Sequence, residues 1–358
     1  MIKVNIDLGE RSYPIYITSG YDNLGKCIHS AKIQGKVVII TDSNVDVHQA
    51  GRCCEALLKE GCEPHKYVIE AGEKSKNLDT VRDIYKFLIG LKLDRQSTII
   101  ALGGGVTGDI SGFVAATFLR GINFVQIPTT LLAQADSSVG GKVGVDFEGS
   151  KNIIGAFYQP KFVYMNVDSL RTLPERDLKS GLAEIIKHGV IKDADFLDYI
   201  DYNAKKIFSF DEDVLQYLAK ANCSIKGSVV EQDEKESGLR EILNFGHTIG
   251  HAIETISGFD LLHGECVALG MVAACKMAVY MELAEEEVLK KVVGVLDKTG
   301  LPVSLPGIDV DMVYNQMFLD KKVKNGKLTF VLPRKIGEVV QLGIDDEALI
   351  KRVIRELK

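Results

Sequence analysis

Short apolar runs alternate with helix-length amphipathic stretches through the first half of the chain, and this alternation restricts the fold more than any other feature. Residues 37–41, 65–70, 97–102 and 123–127 read as strands, and residues 45–61 and 77–91 between them carry helical periodicity. Strands joined through helices run parallel, because each connection must cross back over the sheet. The expected fold is an α/β N-terminal domain, a Rossmann-like parallel sheet with helices on both faces. Its ligands would lie outside the carboxyl ends of the strands. Past Leu173-Pro174 the pattern changes. Helical periodicities at 174–190, 214–230, 239–256, 265–283 and 285–298 dominate, and strands at 327–332 and 338–342 precede a last helix. Two domains are expected, 1–172 (α/β) and 173–358 (mainly α-helical), with the active site in the cleft between them.

A chain of 358 residues is long enough for both. The formal net charge of −6 argues against nucleic acid or an anionic membrane as partner, while leaving local lysines and arginines to hold a phosphorylated metabolite. The N-terminus alternates like a strand and lacks the apolar core of a signal peptide. The most apolar late stretch, 266–283, is interrupted by Lys276 and reads as a buried helix, not a membrane span. Seven cysteines, an odd count without Cys-x-x-Cys spacing, indicate reduced thiols in a cytoplasmic protein.

Three of the seven histidines stand between residues 247 and 263. His247 and His251 are four apart in a helical pattern and can point at one spot, as zinc-binding imidazoles do. Such a pair alone is more often packed or capped than ligating. A second polar block, Glu184, Lys187 and His188, shares a helical face beside Leu182, Ile185 and Ile186, and reads equally as an inward-facing site or a solvated stripe.

In the first half, Gly103-Gly104-Gly105-Val106-Thr107-Gly108-Asp109 follows a strand and opens a helix. Backbone amides there can approach a pyrophosphate, though a tight turn is an equal reading. Asp42, ending an earlier strand, suits either a ribose hydroxyl or a helix cap. Thr129 and Thr130 follow the next strand. Gly140-Gly141-Lys142 and then Lys151-Asn152 present lysines of the kind that grip phosphate.

Taken in order along nearly the whole chain, these segments resemble the 3-dehydroquinate synthases, members of the sugar-phosphate cyclases. The matches include Gly103 to Asp109, Arg120-Gly121, Pro128 to Leu132, Asp136 to Lys142 and Lys151 to Pro160. They continue through Gly181 to Lys187, Gly238 to Arg240, Leu243 to Ala252, His263-Gly264-Glu265 and Asp320 to Lys322.

The resemblance implies zinc or cobalt on Glu184, His247 and His263, with His251 a substrate or proton-transfer residue and not the second ligand that spacing suggests. It implies a tightly held NAD on Asp42, Asn44, Gly72, Glu73, Lys76, Gly104, Gly105, Val106, Thr107, Gly108, Asp109, Thr129, Thr130, Lys142, Lys151, Ser169, Leu170, Arg171 and Thr172. Lys142, Asn152, Lys226, Arg240, Asn244, His251 and Lys321 would contact a sugar-phosphate substrate, with Lys187 and Asp136 nearby. Glu236 and His251 match proton acceptors. Arg120 matches an arginine that reaches the site from the partner subunit, which implies a homodimer. The chain departs from the family pattern mildly. Asp146 stands where many relatives carry asparagine, the Phe147-Glu148-Gly149-Ser150 loop is atypical, and Ala71 precedes Gly72-Glu73. The alternatives are a related cyclase, such as a 2-deoxy-scyllo-inosose or valiolone synthase, a polyol dehydrogenase of the glycerol dehydrogenase type, and a non-catalytic protein that kept the fold.

Overall fold

The computed structural model describes the whole chain except Ser237, Phe259, Asp320, Lys321, Lys322, Asn325 and Gly326. Packing divides it into two units, Met1–Pro174 with Phe210–Lys235, and Glu175–Ser209 with Glu236–Lys358.

The first unit is a seven-stranded sheet. In chain order its strands are β1 (Ile2–Ile6), β2 (Tyr13–Thr18), β3 (Lys36–Asp42), β4 (Glu63–Ile69), β5 (Thr98–Gly103), β6 (Asn123–Pro128) and β9 (Phe162–Asn166); a separate hairpin, β7 (Lys142–Phe147) and β8 (Ser150–Phe157), precedes β9. The spatial order is β1-β2-β9-β6-β5-β3-β4, antiparallel only between β1 and β2. Helices α1 (Leu24–Ser30), α2 (Ser43–Val45), α3 (Gly51–Lys59), α4 (Leu78–Gly90) and α5 (Gly105–Thr117) make the connections.

Both faces of the sheet are buried. Val37 and Ile39 of β3 pack into one apolar cluster with Leu57 and Tyr164, while Val38 and Ile40 pack into another with Ile84 and Val114. That is why these strands read as unbroken apolar runs instead of alternating ones. The chain goes from β3 out to β4 and then returns to the other side of β3 as β5. The strand order therefore reverses between β3 and β5, which places a crevice at their carboxyl ends, where α/β sheets bind ligands.

The chain continues through α6 (Glu175–Lys192), α7 (Ala194–Phe208) and α8 (Glu212–Gln232). A single boundary after residue 172 does not describe this arrangement, because α8 packs on β1 and β2 in the first unit. A Cβ at Gly227 of α8 would lie 2.6 Å from Ile6 Cδ1, so glycine brings helix and strand together. The periodicity of α8 shows a helix but not which sheet covers it.

The second unit combines α6 and α7 with α9 (His247–Ile256), α10 (His263–Tyr280), α11 (Glu286–Lys298) and α12 (Val310–Met317), then strands β10 (Val323–Lys324), β11 (Lys327–Lys335) and β12 (Glu338–Ile344), and finally α13 (Glu347–Arg355). The expected continuous helix 239–256 is broken. A 3-10 segment, Leu239–Asn244, is followed by Gly246 at φ +78°, and α9 starts only at His247. Position 246 needs glycine twice over: its conformation is left-handed, and a Cβ would meet Met271 Cγ and Val267 O at 2.8 Å. No helix among the described residues is long and apolar enough to cross a membrane.

Candidate active site

The first unit gathers several polar groups at the β3/β5 crevice. α5 begins at Gly105 after Gly104, with no side chain capping its first turn and no acidic residue there. The amides of that turn are therefore available to an anion. Space is tight around the turn. A Cβ at Gly103 would fall 2.5 Å from Thr107 Oγ1, one at Gly104 3.1 Å from Thr130 Cγ2, and one at Gly105 3.3 Å from Ser137 Oγ. At Gly112, further along α5, a Cβ would be 2.3 Å from Val143 Cγ1, so this glycine serves helix packing.

Asp42 caps the turn after β3. Its Oδ1 accepts from the Asn44 and Val45 amides, both at 3.0 Å, while Oδ2 accepts from Thr107 Oγ1 at 3.1 Å. The capping role is thus present, and the Thr107 bond ties the two sides of the crevice together. Lys76 is buried and pairs with Asp109 Oδ2 at 2.7 Å and Glu73 Oε1 at 3.8 Å. Burial works against its charge, yet Asp109 and Glu73 overrule burial and raise its pKa. Burial pushes the Asp109 carboxyl up to about 6 even with Lys76 alongside. Gly72 stands at φ +111° just before Glu73.

Thr129 is buried with no hydrogen-bond partner for Oγ1 among the described residues, an orphan that a bound ligand would satisfy. Thr130 Oγ1 accepts from the Ala133 amide at 3.1 Å. In the 3-10 segment Val167–Thr172, Ser169 and Leu170 are buried, Ser169 Oγ donates to Asn166 O at 2.7 Å, Thr172 Oγ1 donates to Ser169 O at 2.9 Å, and Arg171 Nε pairs with Asp168 at 3.3 Å. The uncapped helix start, the glycine cradle and the orphan hydroxyl fit a dinucleotide.

Lys142, Lys151 and Asn152 lie exposed on the β7–β8 hairpin, with Asn152 at φ +53°. Asp146 closes that hairpin. Its Oδ1 accepts from the Asn152 amide at 2.7 Å and its own amide donates to Lys76 O at 2.9 Å, so the departure from asparagine keeps the acceptor. Buried Lys226 Nζ donates to Asp136 Oδ1 at 2.6 Å and also to the Asp136 carbonyl. Arg120 is exposed and left-handed at φ +67°, directly after Leu119 at φ +51°. Two adjacent non-glycine residues in that region are a strained turn.

The second unit assembles its site from three helices. Glu184 lies midway along α6, His247 opens α9 and His263 opens α10. Glu184 Oε1 is 3.4 Å from His247 Nε2 and 3.4 Å from His263 Nε2. The opposite ring nitrogens are already engaged: His247 Nδ1 is 3.0 Å from Phe245 O, and His263 Nδ1 is 3.1 Å from Glu254 Oε2. Both partners are acceptors, so each Nδ1 carries the proton. This aims both Nε2 atoms at the buried carboxylate oxygen, the orientation of metal-binding histidines, in which a cation displaces any proton on Nε2. Three donor atoms facing one point, with Glu184 Oε1 accepting no hydrogen bond among the described residues, fit a divalent cation.

Lys187, one turn along α6, donates to the other oxygen, Glu184 Oε2. Burial would raise the Glu184 pKa, but Lys187 and the imidazoles hold it well below the usual carboxylate range. Burial and Lys187 push His247 down to about 3, whereas Glu184 and Glu254 outweigh burial and lift His263 to about 9.

His251 belongs to the same cluster, its ring centroid 5.1 Å from His247 and 5.7 Å from His263. The i,i+4 reading was right that both rings face one place, and the structure adds Glu184 and His263 from other helices. Arg240 is buried in the 3-10 segment that ends at Asn244, and Glu236 precedes that segment at φ +58°. Lys321 lies outside the described residues. Sequence reasoning missed Glu254. Its signal was present, since residues 247, 251 and 254 follow one face of α9.

Family models describe residues 66–180 as 3-dehydroquinate synthase N-terminal and residues 181–323 as 3-dehydroquinate synthase C-terminal. The chain is 70% identical over 358 residues to the 3-dehydroquinate synthase of Acetivibrio thermocellus, covering 100% of this chain and 99% of the relative. Among solved structures it is similar to 2-deoxy-scyllo-inosose synthase complexed with carbaglucose-6-phosphate, NAD+ and Co2+. That match has a TM-score of 0.90 and 29% identity, over 99% of this chain and 100% of the other. It is also similar to 2-epi-5-epi-valiolone synthase from Streptomyces hygroscopicus with NAD+ and Zn2+ bound, at a TM-score of 0.89 and 27% identity, over 98% of each chain.

Proposed function

Since the chain belongs to the 3-dehydroquinate synthase family, we propose that it converts 3-deoxy-D-arabino-heptulosonate 7-phosphate into 3-dehydroquinate and inorganic phosphate, a step of aromatic amino-acid biosynthesis. The observation that carries this reading is the convergence of Glu184 Oε1 with the Nε2 atoms of His247 and His263. One carboxylate and two imidazoles leave coordination positions open for substrate oxygens, as a catalytic metal site requires.

Bound NAD would supply reversible hydride acceptance at C5, and zinc or cobalt held by Glu184, His247 and His263 would supply polarisation of substrate oxygens. The protein's own work is binding and charge placement. In the first unit, the amides at the start of α5 and the Thr129 hydroxyl suit the dinucleotide phosphates and ribose, with Asp42, Asn44, Gly72, Glu73, Lys76, Lys151 and residues 169–172 completing its surroundings. Lys142, Asn152, Lys226, Arg240, Asn244 and Lys321 hold the substrate. Oxidation at C5 acidifies the neighbouring C–H, and phosphate leaves by β-elimination. Re-reduction, ring opening and an intramolecular aldol step then close the carbocycle.

His247, kept neutral by burial, stays a lone-pair donor. Lys187 neutralises the outer oxygen of Glu184, which keeps a buried carboxylate ionised. His251, beside both imidazoles, is placed to accept a substrate proton, and Glu236 is a second acceptor. The protein acts in the cytoplasm as a homodimer, each Arg120 serving the neighbouring site. Its strained, exposed turn supports this reading, because such conformations concentrate where function demands them.

The test is phosphate release from the heptulosonate phosphate by metal-loaded protein with NAD, with absorbance followed for NADH. Phosphate and dehydroquinate in equal amounts, without net NADH, are expected. Steady NADH formation from a polyol, or turnover of a different sugar phosphate only, would overturn the assignment. For the shared site, mixing Arg120→Ala protein with Glu184→Gln protein should restore part of the activity. No recovery in hybrids shown to form would remove Arg120 from its role.

A further inference from the structure

Glu184 and His263 come from helices that approach each other at the start of α10, and the groups that set this approach lie next to the ligands. Arg176 is in the first turn of α6, two turns before Glu184, and Glu265 is two residues after His263. The Arg176 guanidinium grips the Glu265 carboxylate with both arms, Nε to Oε1 at 2.7 Å and Nη2 to Oε2 at 2.7 Å. Nη2 also donates to Asp260 O at 2.8 Å, which draws in the loop before α10. Glu265 Oε2 accepts from the Leu262 amide at 2.8 Å and so closes the first turn of α10 around His263. Between these ties the Gly264 amide donates to Ser180 Oγ at 3.0 Å. A Cβ on Gly264 would stand 1.9 Å from Ser180 O, so the two backbones nearly touch there.

We propose that Arg176 and Glu265 form a positioning clamp for the metal centre, fixing His263 Nε2 against Glu184 Oε1 although neither residue offers a donor atom to the ion. This rests on the reading that Glu184, His247 and His263 hold the metal. Donor atoms must be held to within fractions of an ångström, and partners behind the ligands set that tolerance. The guanidinium is suited to the task because its planar fork fixes orientation as well as distance; a lysine gives one point of contact. Arg176 is 54% exposed and Glu265 14%. The arginine end is solvent-exposed, so the pair adds only modestly to global stability, and the clamp's main effect belongs in metal affinity and ligand geometry, with at most a small fall in the melting temperature.

The experiment compares the full chain with Arg176→Ala, Arg176→Lys and Glu184→Gln. Zinc affinity is measured by competition with a chromogenic chelator, ligand geometry from the visible spectrum of the Co2+-loaded protein, and folding from the thermal midpoint without metal. Arg176→Ala should weaken zinc binding roughly tenfold to a hundredfold, the range for partners behind metal ligands. It should also change the cobalt spectrum, with a metal-free midpoint close to that of the parent. Arg176→Lys should recover the loss only in part, and it serves as the folded probe if the alanine variant does not fold. Zinc affinity within twofold of the parent and an unchanged cobalt spectrum in either Arg176 variant would overturn the clamp. Parental zinc affinity in Glu184→Gln would instead overturn the metal reading beneath it, a separate and recognisable result.

Discussion

The glycine turn after β5 and the imidazole cluster of the second unit both depend on glycines, yet they are built in opposite ways. At the turn, Gly103, Gly104 and Gly105 are consecutive, and they make room beside a helix start for the side chains of Thr107, Thr130 and Ser137. In the cluster the glycines clear space for other helices. A Cβ on Gly270 of α10 would lie 1.8 Å from Gly246 O, and one on Gly250 of α9 would lie 2.8 Å from Cys266 O. The turn itself is one short piece of backbone, although Asp42, Thr130 and Ser137 from other segments pack around it. The cluster exists only after three helices have packed.

That contrast predicts different ways of failing. Gly270→Ala should have the largest effect, because the new methyl meets backbone and neither helix can step aside. A destabilisation of ~3 kcal/mol or more is expected, at the upper end of overpacking. The thermal midpoint should fall and zinc retention be lost together; a midpoint unchanged from the parent would show that the α9–α10 contact yields easily. Glu184→Gln should leave the fold standing but lower zinc affinity by about a hundredfold or more, above the loss for partners behind the ligands. NAD binding should persist in this variant, and joint loss of both would mean the two sites are not independent.

Gly104→Ala is the counterpart in the first unit. Its Cβ would sit 3.1 Å from Thr130 Cγ2, tight but not impossible, and it crowds the helix start. NAD affinity should drop roughly tenfold, equivalent to ~1.4 kcal/mol, with zinc binding unchanged by titration. The smallest effect concerns the Lys76–Asp109 pair. Burial raises Asp109 from the ordinary 3.8 to about 6, so between these values the folded chain keeps a proton that the unfolded chain has released. This contribution favours folding below about pH 4 and is lost as pH rises through about 6. Its slope is at most ~1.4 kcal/mol per pH unit. Asp109→Asn should remove that slope from unfolding free energies measured across pH 4–7, whatever offset the loss of the pair adds. An identical slope in both proteins would place the titration elsewhere.

Legibility followed the same division. The strands β3, β5 and β6 and the glycine turn were readable because an apolar run and the glycines that end it are neighbours in the chain. The β7–β8 hairpin was passed over as a glycine turn bearing a lysine. Buried Val143 and Val145 alternating along Lys142–Phe147 were its signal. The helix 239–256 was read straight through Gly246, whose left-handed conformation follows from Met271 and Val267 of a distant helix. Without the family resemblance, spacing would have made His251 the second ligand and left Glu184 undecided between an inward-facing group and a solvated one.

By itself the sequence determined which segments are helices and strands in the sheet core, where the glycine turn before a helix falls, and which residue types were available for a metal. These properties depend on side-chain period and backbone conformation over a few residues. Only the tertiary structure decided that α8 joins the first unit and that Asp42 caps its own turn while accepting from Thr107. It alone decided that Glu184, His247 and His263 meet, with Glu254 and Phe245 O orienting the rings. Those outcomes depend on contacts between residues tens of positions apart, which are settled by burial and close packing and leave no period in the chain.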